Sequence, residues 1–269
     1  MTRRLATPCL IVSDAHLGAA PQETERSLLA FLDVAKREAK SVVINGDLFD
    51  FWFEWRHVMP RVGFRTLAAL ASLRDAGVEV LWIAGNHDCW GGDILANDVG
   101  VTYHVGPWRG EIGSWQTLIE HGDGLRDVED APYRRLRAVL RNPAAIWAFR
   151  RILHPDWATA LAKRTSHTSR NMRPRDGGDG LKRVAHERLA SGDAPDLYIF
   201  GHSHVSVVER ANGRVLANPG AWLDAPRCLR VASDSVSLCD FDGDGLRDIS
   251  SEALPDRSPP RPPRPPRPR

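Results

Sequence analysis

The sequence predicts an α/β layered sheet with a helical cap inserted late in the chain, and three observations carry that reading. Short apolar, β-rich runs alternate with segments of helical periodicity, which is the pattern of strands paired across helical connections. Every such run is followed at once by polar residues of metal-ligand type: SDAH, NGDLFD, GNHD, EHGD and GHSH. The last two tails, headed by His121 and His202, are separated by 81 positions, too long a stretch for an ordinary loop.

Taken in order, strands are expected over 9–12, 41–44, 78–83, 116–119 and 197–200. A helix is expected between 21 and 40, where Leu28, Leu29, Phe31, Leu32 and Ala35 recur at helical spacing, and another over 64–73. Ligands of open α/β sheets bind beyond the carboxyl ends of the strands, so the five polar tails should converge on one crevice. The long interval holds helical periodicity at 133–140 and 146–153, and we read 131–175 as the cap, with the core formed by 1–130 and 176–250. Eleven Lys or Arg stand in the cap against the single acid Asp156, interleaved with Trp147, Phe149, Ile152, Leu153 and Trp157. That mixture suits an anionic amphiphile or an anionic membrane surface, although an ordinary solvated helix pair would also read this way. Residues 251–269, ending in RSPPRPPRPPRPR with five arginines, read as an extended disordered tail.

Composition bounds the class and leaves the chemistry open. A chain of 269 residues with 42% hydrophobic and 26% charged residues is an ordinary globular protein, and a net charge of +2 makes no case for nucleic acid. The four scattered cysteines lack CxxC spacing, and the N-terminal apolar run is too short for a signal peptide or membrane span. A cytoplasmic protein, peripheral on the inner membrane through the cap, is therefore expected.

Imidazoles and carboxylates bind divalent first-row cations, and one carboxylate can bridge two of them. Asp14 and His16, like His202 and His204, sit two apart and share a side in extended chain. Asp47 is the expected bridge, Asn86 adds a neutral oxygen and His121 a nitrogen, leaving positions open for water and substrate. His87 is placed to bond a phosphate oxygen or protonate the leaving group, with Asp88 orienting its ring and Asp50 doing likewise for a ligand histidine. A lone DxH or HxH would be weak support for a metal site.

The ordered set DxH, GDxxD, GNHD, HGD and GHxH resembles the calcineurin-like metallophosphoesterases. That resemblance implies a layered β-sandwich flanked by helices, with Asp14, His16, Asp47 and His204 on one cation and Asp47, Asn86, His121 and His202 on a second. GDLFDFWFEW, GNHDCW, HGDGLRDVEDAPYRRLR and LHPDWATALAKRTSHTSR further resemble the UDP-2,3-diacylglucosamine diphosphatases of lipid A synthesis. One departure is His87, where the proteobacterial branch of that family carries Arg. The implied reaction splits a UDP-linked glycolipid to UMP and 2,3-diacylglucosamine 1-phosphate with manganese, by in-line attack of a hydroxide held between two cations. The same resemblance places Tyr133, Arg164, Ser166 and Ser169 against the substrate. A generic phosphoesterase acting on nucleotides or other esters, and a metal-binding scaffold without turnover, stand as alternatives.

Two C-terminal motifs complete the reading. NPGAW, which resembles the turn after the last ligand histidine in this superfamily, is expected to be structural. DFDGDGLRD has Asp240, Asp242, Asp244 and Asp248 at calcium-loop positions with Gly245 at position 6, but Ser251 replaces the terminal Glu. An Asp/Gly turn is the favoured reading there.

Overall fold

The structure is a computed structural model, and it describes residues 3–158 and 177–254. Two sheets stack face to face. The first runs β13-β12-β11-β2-β3-β4-β5 and the second β1-β6-β7-β8-β10-β9. In the first, β2 (Cys9–Val12), β3 (Ser41–Asn45), β4 (Glu79–Ile83) and β5 (Thr102–His104) are parallel, while β11 (Arg227–Val231), β12 (Ser235–Phe241) and β13 (Leu246–Ala253) extend it antiparallel. The second sheet contains β1 (Arg4–Leu5), β6 (Trp108–Ile112), β7 (Trp115–Ile119), β8 (Leu197–Ile199), β9 (Val207–Ala211) and β10 (Arg214–Asn218).

Period-two alternation sorts each strand's side chains between two cores. Cys9, Ile11, Val43, Leu81 and Ile83 face Trp115, Ile119, Leu197, Ile199, Val215 and Ala217 across the sandwich. Leu10, Val12, Val42, Ile44, Val80 and Trp82 turn outward against α1 (Gln22–Glu38) and α2 (Phe64–Asp75). The opposite outer face, Leu118, Tyr198 and Leu216, is covered by Leu181, Ala185 and Leu189 of α5 (Asp179–Leu189). Helix α1 buries Leu28, Phe31, Leu32 and Ala35 at i, i+3, i+4 and i+7; each large side chain so removed from water stabilises by roughly 1.5–3 kcal/mol. Glu23 and Glu25 in its first turn and Lys36 and Arg37 in its last oppose the helix dipole favourably.

The cap region begins with α3 (Ala131–Leu140) and α4 (Pro143–Ile152), helices with no fully buried side chain. Phe149, Ile146 and Leu153 rest on Phe53 and Trp55 of the loop after β3. Ser251, Glu252 and Ala253, expected in the tail, instead pair with Val236 and its neighbours as the end of β13. The calcium-like motif forms the β12–β13 hairpin. Asp242 Oδ1 accepts from the N–H groups of Asp244 and Gly245, while Asp240 and Asp248 face Arg227 and Arg230.

Candidate active site

The polar tails of β2, β3, β4, β7 and β8 meet at one pole of the sandwich, laced together by main-chain bonds. Asp14 N–H donates to Gly46 O (3.1 Å), His16 N–H to Asp47 O (2.9 Å), Trp52 N–H to His87 O (3.0 Å) and Gly201 N–H to His121 O (2.8 Å). Asp14, His16, Asp47, His202 and His204 all have positive φ, between 47° and 61°. Non-glycine residues rarely sit there, and five at one site mark backbone held in place to aim side chains. Glycine is required beside them. A Cβ on Gly85 would strike Asp47, one on Gly46, itself at φ 84°, the His121 ring, and one on Gly201 the Ser13 hydroxyl.

Three overlapping groups of side chains come close enough to hold a metal ion: Asp14, His16 and His204; His16, Asp47 and His87; and Asp47, His121 and His202. Asp47 Oδ2 lies 3.2 Å from His121 Nε2 and 3.9 Å from His16 Nε2; Asp14 Oδ1 lies 3.5 Å from His204 Nε2. Asp47 is thus shared by the second and third groups, as His16 is by the first and second. Asp14 Oδ1 and Asn86 Oδ1 are buried without a hydrogen-bond partner, an arrangement that a cation resolves. The donor set therefore fits divalent metal.

Second partners orient the ligand rings. His121 Nδ1 donates to Asn45 O at 2.9 Å and His204 Nδ1 to an Asp224 carboxylate oxygen at 2.9 Å, leaving Nε2 of each ring to face the cluster. Burial pushes His16 down to about 4, so its ring is neutral near pH 7. Burial opposes charge on His121 as well, but Asp47 and Asp14 outweigh it and raise its pKa; the same pairing holds Asp47 well below the usual carboxylate range against its own burial.

His87 stands edge-on to His16, ring centroids 5.0 Å apart, and its Nδ1 donates to the Asp50 carbonyl at 2.8 Å. Asp88 does not orient this ring. Its carboxylate turns inward to accept from Gly85 N (2.7 Å), Leu48 N (2.9 Å) and Trp82 Nε1 (3.2 Å), because the tight GNHD turn needs an acceptor for its own N–H groups. Burial, with Asp47 nearby, raises that carboxyl to about 7. The Asp50 carboxylate reaches His16 Nδ1 only at 3.9 Å, so its main-chain oxygen holds His87 more closely than its side chain holds His16. Asn218 of NPGAW braces the last tail, donating to Ser203 Oγ (2.9 Å) and Gly201 O (3.3 Å).

Tyr133 lies at the site's edge with its hydroxyl donated to Asp123 Oδ2 at 2.7 Å. Arg164, Ser166 and Ser169 lie outside the described residues. Sequence reasoning did not single out Asp224, Asn45, Asp123 or Arg141. Asp123 was legible as the acid of HGD; the partnership of Asp224 with His204 across the 20 positions between them left no local signal.

A two-sheet sandwich with imidazoles and carboxylates clustered beyond its strand ends defines a metallophosphoesterase. The model of the calcineurin-like phosphoesterase family matches residues 7–206, and the chain belongs to that family, a family of hydrolases. Among similar proteins, the UDP-2,3-diacylglucosamine hydrolase of Porphyromonas gingivalis is 35% identical over 234 residues, spanning 78% of this chain and 88% of that protein. The protein of the same name from Neisseria meningitidis serogroup C is 29% identical over 242 residues, 88% of this chain and 95% of that protein. A third, from Pseudomonas aeruginosa, is 30% identical over 199 residues, 72% of this chain and 81% of that protein.

Proposed function

We propose that the chain hydrolyses the diphosphate of UDP-2,3-diacylglucosamine to UMP and 2,3-diacylglucosamine 1-phosphate. The observation that carries this reading is the buried Asp47 carboxylate shared by two ligand groups, with basic and aromatic cap helices docked on the neighbouring loops, in a chain whose relatives bear that hydrolase's name. Asp14, His16, Asp47 and His204 would hold one cation and Asp47, Asn86, His121 and His202 the other; the donor set fits divalent first-row metals, and the family resemblance points to Mn²⁺ among them. Bound divalent cations lower the pKa of water and neutralise charge on the phosphoryl group.

The chain's own residues supply the rest. Because a carbonyl can only accept, the Asp50 oxygen fixes the proton of His87 on Nδ1 and leaves Nε2 to exchange a proton with a phosphate or leaving-group oxygen. Asp47 holds the His87 loop through the His87 N–H, 2.9 Å from Oδ1, so this carboxylate and the proton-transfer group are tied together. The core is 1–130 with 176–253, β13 included, and the cap 131–175 contributes selectivity. Trp147, Ile152 and Trp157, 64%, 76% and 72% exposed, stand with Arg150 and Arg151 on the cap surface, apolar area for acyl chains or an anionic membrane interior to the cell. Among the described residues no helix is long and apolar enough to cross a membrane. Tyr133, Arg164, Ser166 and Ser169 complete the substrate contacts.

The test is to incubate the purified protein and Mn²⁺ with UDP-2,3-diacylglucosamine and, separately, with aryl phosphates, following UMP and aryl alcohol release. Preferential release of UMP is expected. Faster turnover of the aryl esters would favour a phosphoesterase of broader specificity.

A further inference from the structure

Helix α3 has no fully buried residue, so apolar packing contributes little to holding it over the site. Its attachment is polar: Arg134 donates to the Arg126 and Asp127 carbonyls at 2.9 and 2.6 Å, and three further side chains converge on one carboxylate. Asp123, 6% exposed and two residues beyond His121, accepts from Tyr133 Oη at 2.7 Å; Arg137 Nη1 lies 3.4 Å and Arg141 Nη2 3.5 Å from the same oxygen. Arg137 Nη1 also donates to the Asp123 carbonyl at 2.8 Å. Tyr133 and Arg137 lie one turn apart on α3, and Arg141 follows one turn later at its end, so a single stripe of the helix meets one acceptor. The second tether is the Trp90 indole N–H, which donates to Leu140 O at 2.9 Å from the loop that carries Asn86 and His87.

We propose that Asp123 is a positioning residue that moors α3, the first helix of the cap, to the metal-binding loops and so sets how that helix presents a substrate to the metal centre. The inference rests on the proposed function for its choice of substrate but not for the mooring itself. A buried carboxylate flanked by two guanidiniums loses more than one contact when its charge is removed, because both cationic partners are then left beside a neutral group. Helix α3 would lose its fixed place beside His121 while α4 kept its apolar seat on Phe53 and Trp55, and the cluster of Asp14, Asp47, His121 and His202 kept its own backbone ties.

Asp123→Asn keeps the shape and removes the charge; Tyr133→Phe removes only the hydroxyl. Hydrogen exchange of the 131–140 amides in the Mn²⁺-loaded protein should rise at least tenfold in Asp123→Asn and rise less in Tyr133→Phe, with α1 and metal content unchanged. Selectivity, as kcat/KM for UDP-2,3-diacylglucosamine divided by that for a small aryl phosphodiester, should fall about tenfold in each single variant. In a double variant that combines Tyr133→Phe with Asp123→Ala, which removes the acceptor itself, the losses should be no worse than those of Asp123→Ala alone, since the bond is already gone. Unchanged exchange over 131–140, losses that multiply in the double variant, or equal losses on both substrates would each overturn the proposal. Should the wild-type protein fail to hydrolyse UDP-2,3-diacylglucosamine, the functional reading falls, and the exchange and metal measurements still decide the mooring.

Discussion

The imidazole of His204 is clamped by a carboxylate from a different loop: Nδ1 lies 2.9 Å from Asp224 Oδ2, while Nε2 lies 3.5 Å from Asp14 Oδ1. A carboxylate behind a ligand histidine fixes its tautomer and raises its basicity. Asp224→Asn should therefore weaken Mn²⁺ binding by ~10–100-fold without removing any metal ligand. A calorimetric titration that finds unchanged affinity would show that Asp224 is a surface ion pair only.

Metal loading should release protons. His121 holds a proton beside Asp47 in the metal-free protein, its pKa raised by Asp47 and Asp14 in spite of burial, and that proton must leave before Nε2 can bind a cation. A raised pKa means that the proton competes across a wider pH range, so affinity should fall as pH is lowered and recover as it rises. Titrations in two buffers of different ionisation heat would measure the release directly; equal heats would contradict it.

His87→Ala should retain metal and lower the rate by ~10²–10⁴, the range of a positioned acid or base. Loss of metal content would instead make His87 a ligand, since it also falls within reach of His16 and Asp47.

Gly46→Ala places a Cβ against the His121 ring at a residue with φ 84°. We expect a loss of ~1–3 kcal/mol in unfolding free energy together with weaker metal binding. Denaturant melts of the metal-free protein check the first and metal titration the second.

Much of this site was legible because period-two strands end where ligands begin. Five apolar runs, each followed by Asp, Asn or His, located β2, β3, β4, β7 and β8 and brought their tails together. What was hidden belongs to partners distant in sequence. The antiparallel extension β11 to β13 and the edge strands β1 and β9 carry mixed polar residues, so their alternation is weak. Asp88 was misread because it adjoins His87 in sequence, whereas the turn directs its carboxylate back to the N–H groups of Gly85 and Leu48. The docking of α3 through Asp123 depends on Arg137 and Arg141, 14 and 18 positions away.

The most direct test of the two-cation centre is metal content and UMP release measured together in wild type and Asp47→Ala. Asp47 stands between His16 and His121, so its removal should take wild-type loading of about two Mn²⁺ per chain below one and abolish hydrolysis of every phosphoester tried. Asp47→Ala protein that keeps both its metal and its rate would contradict the account.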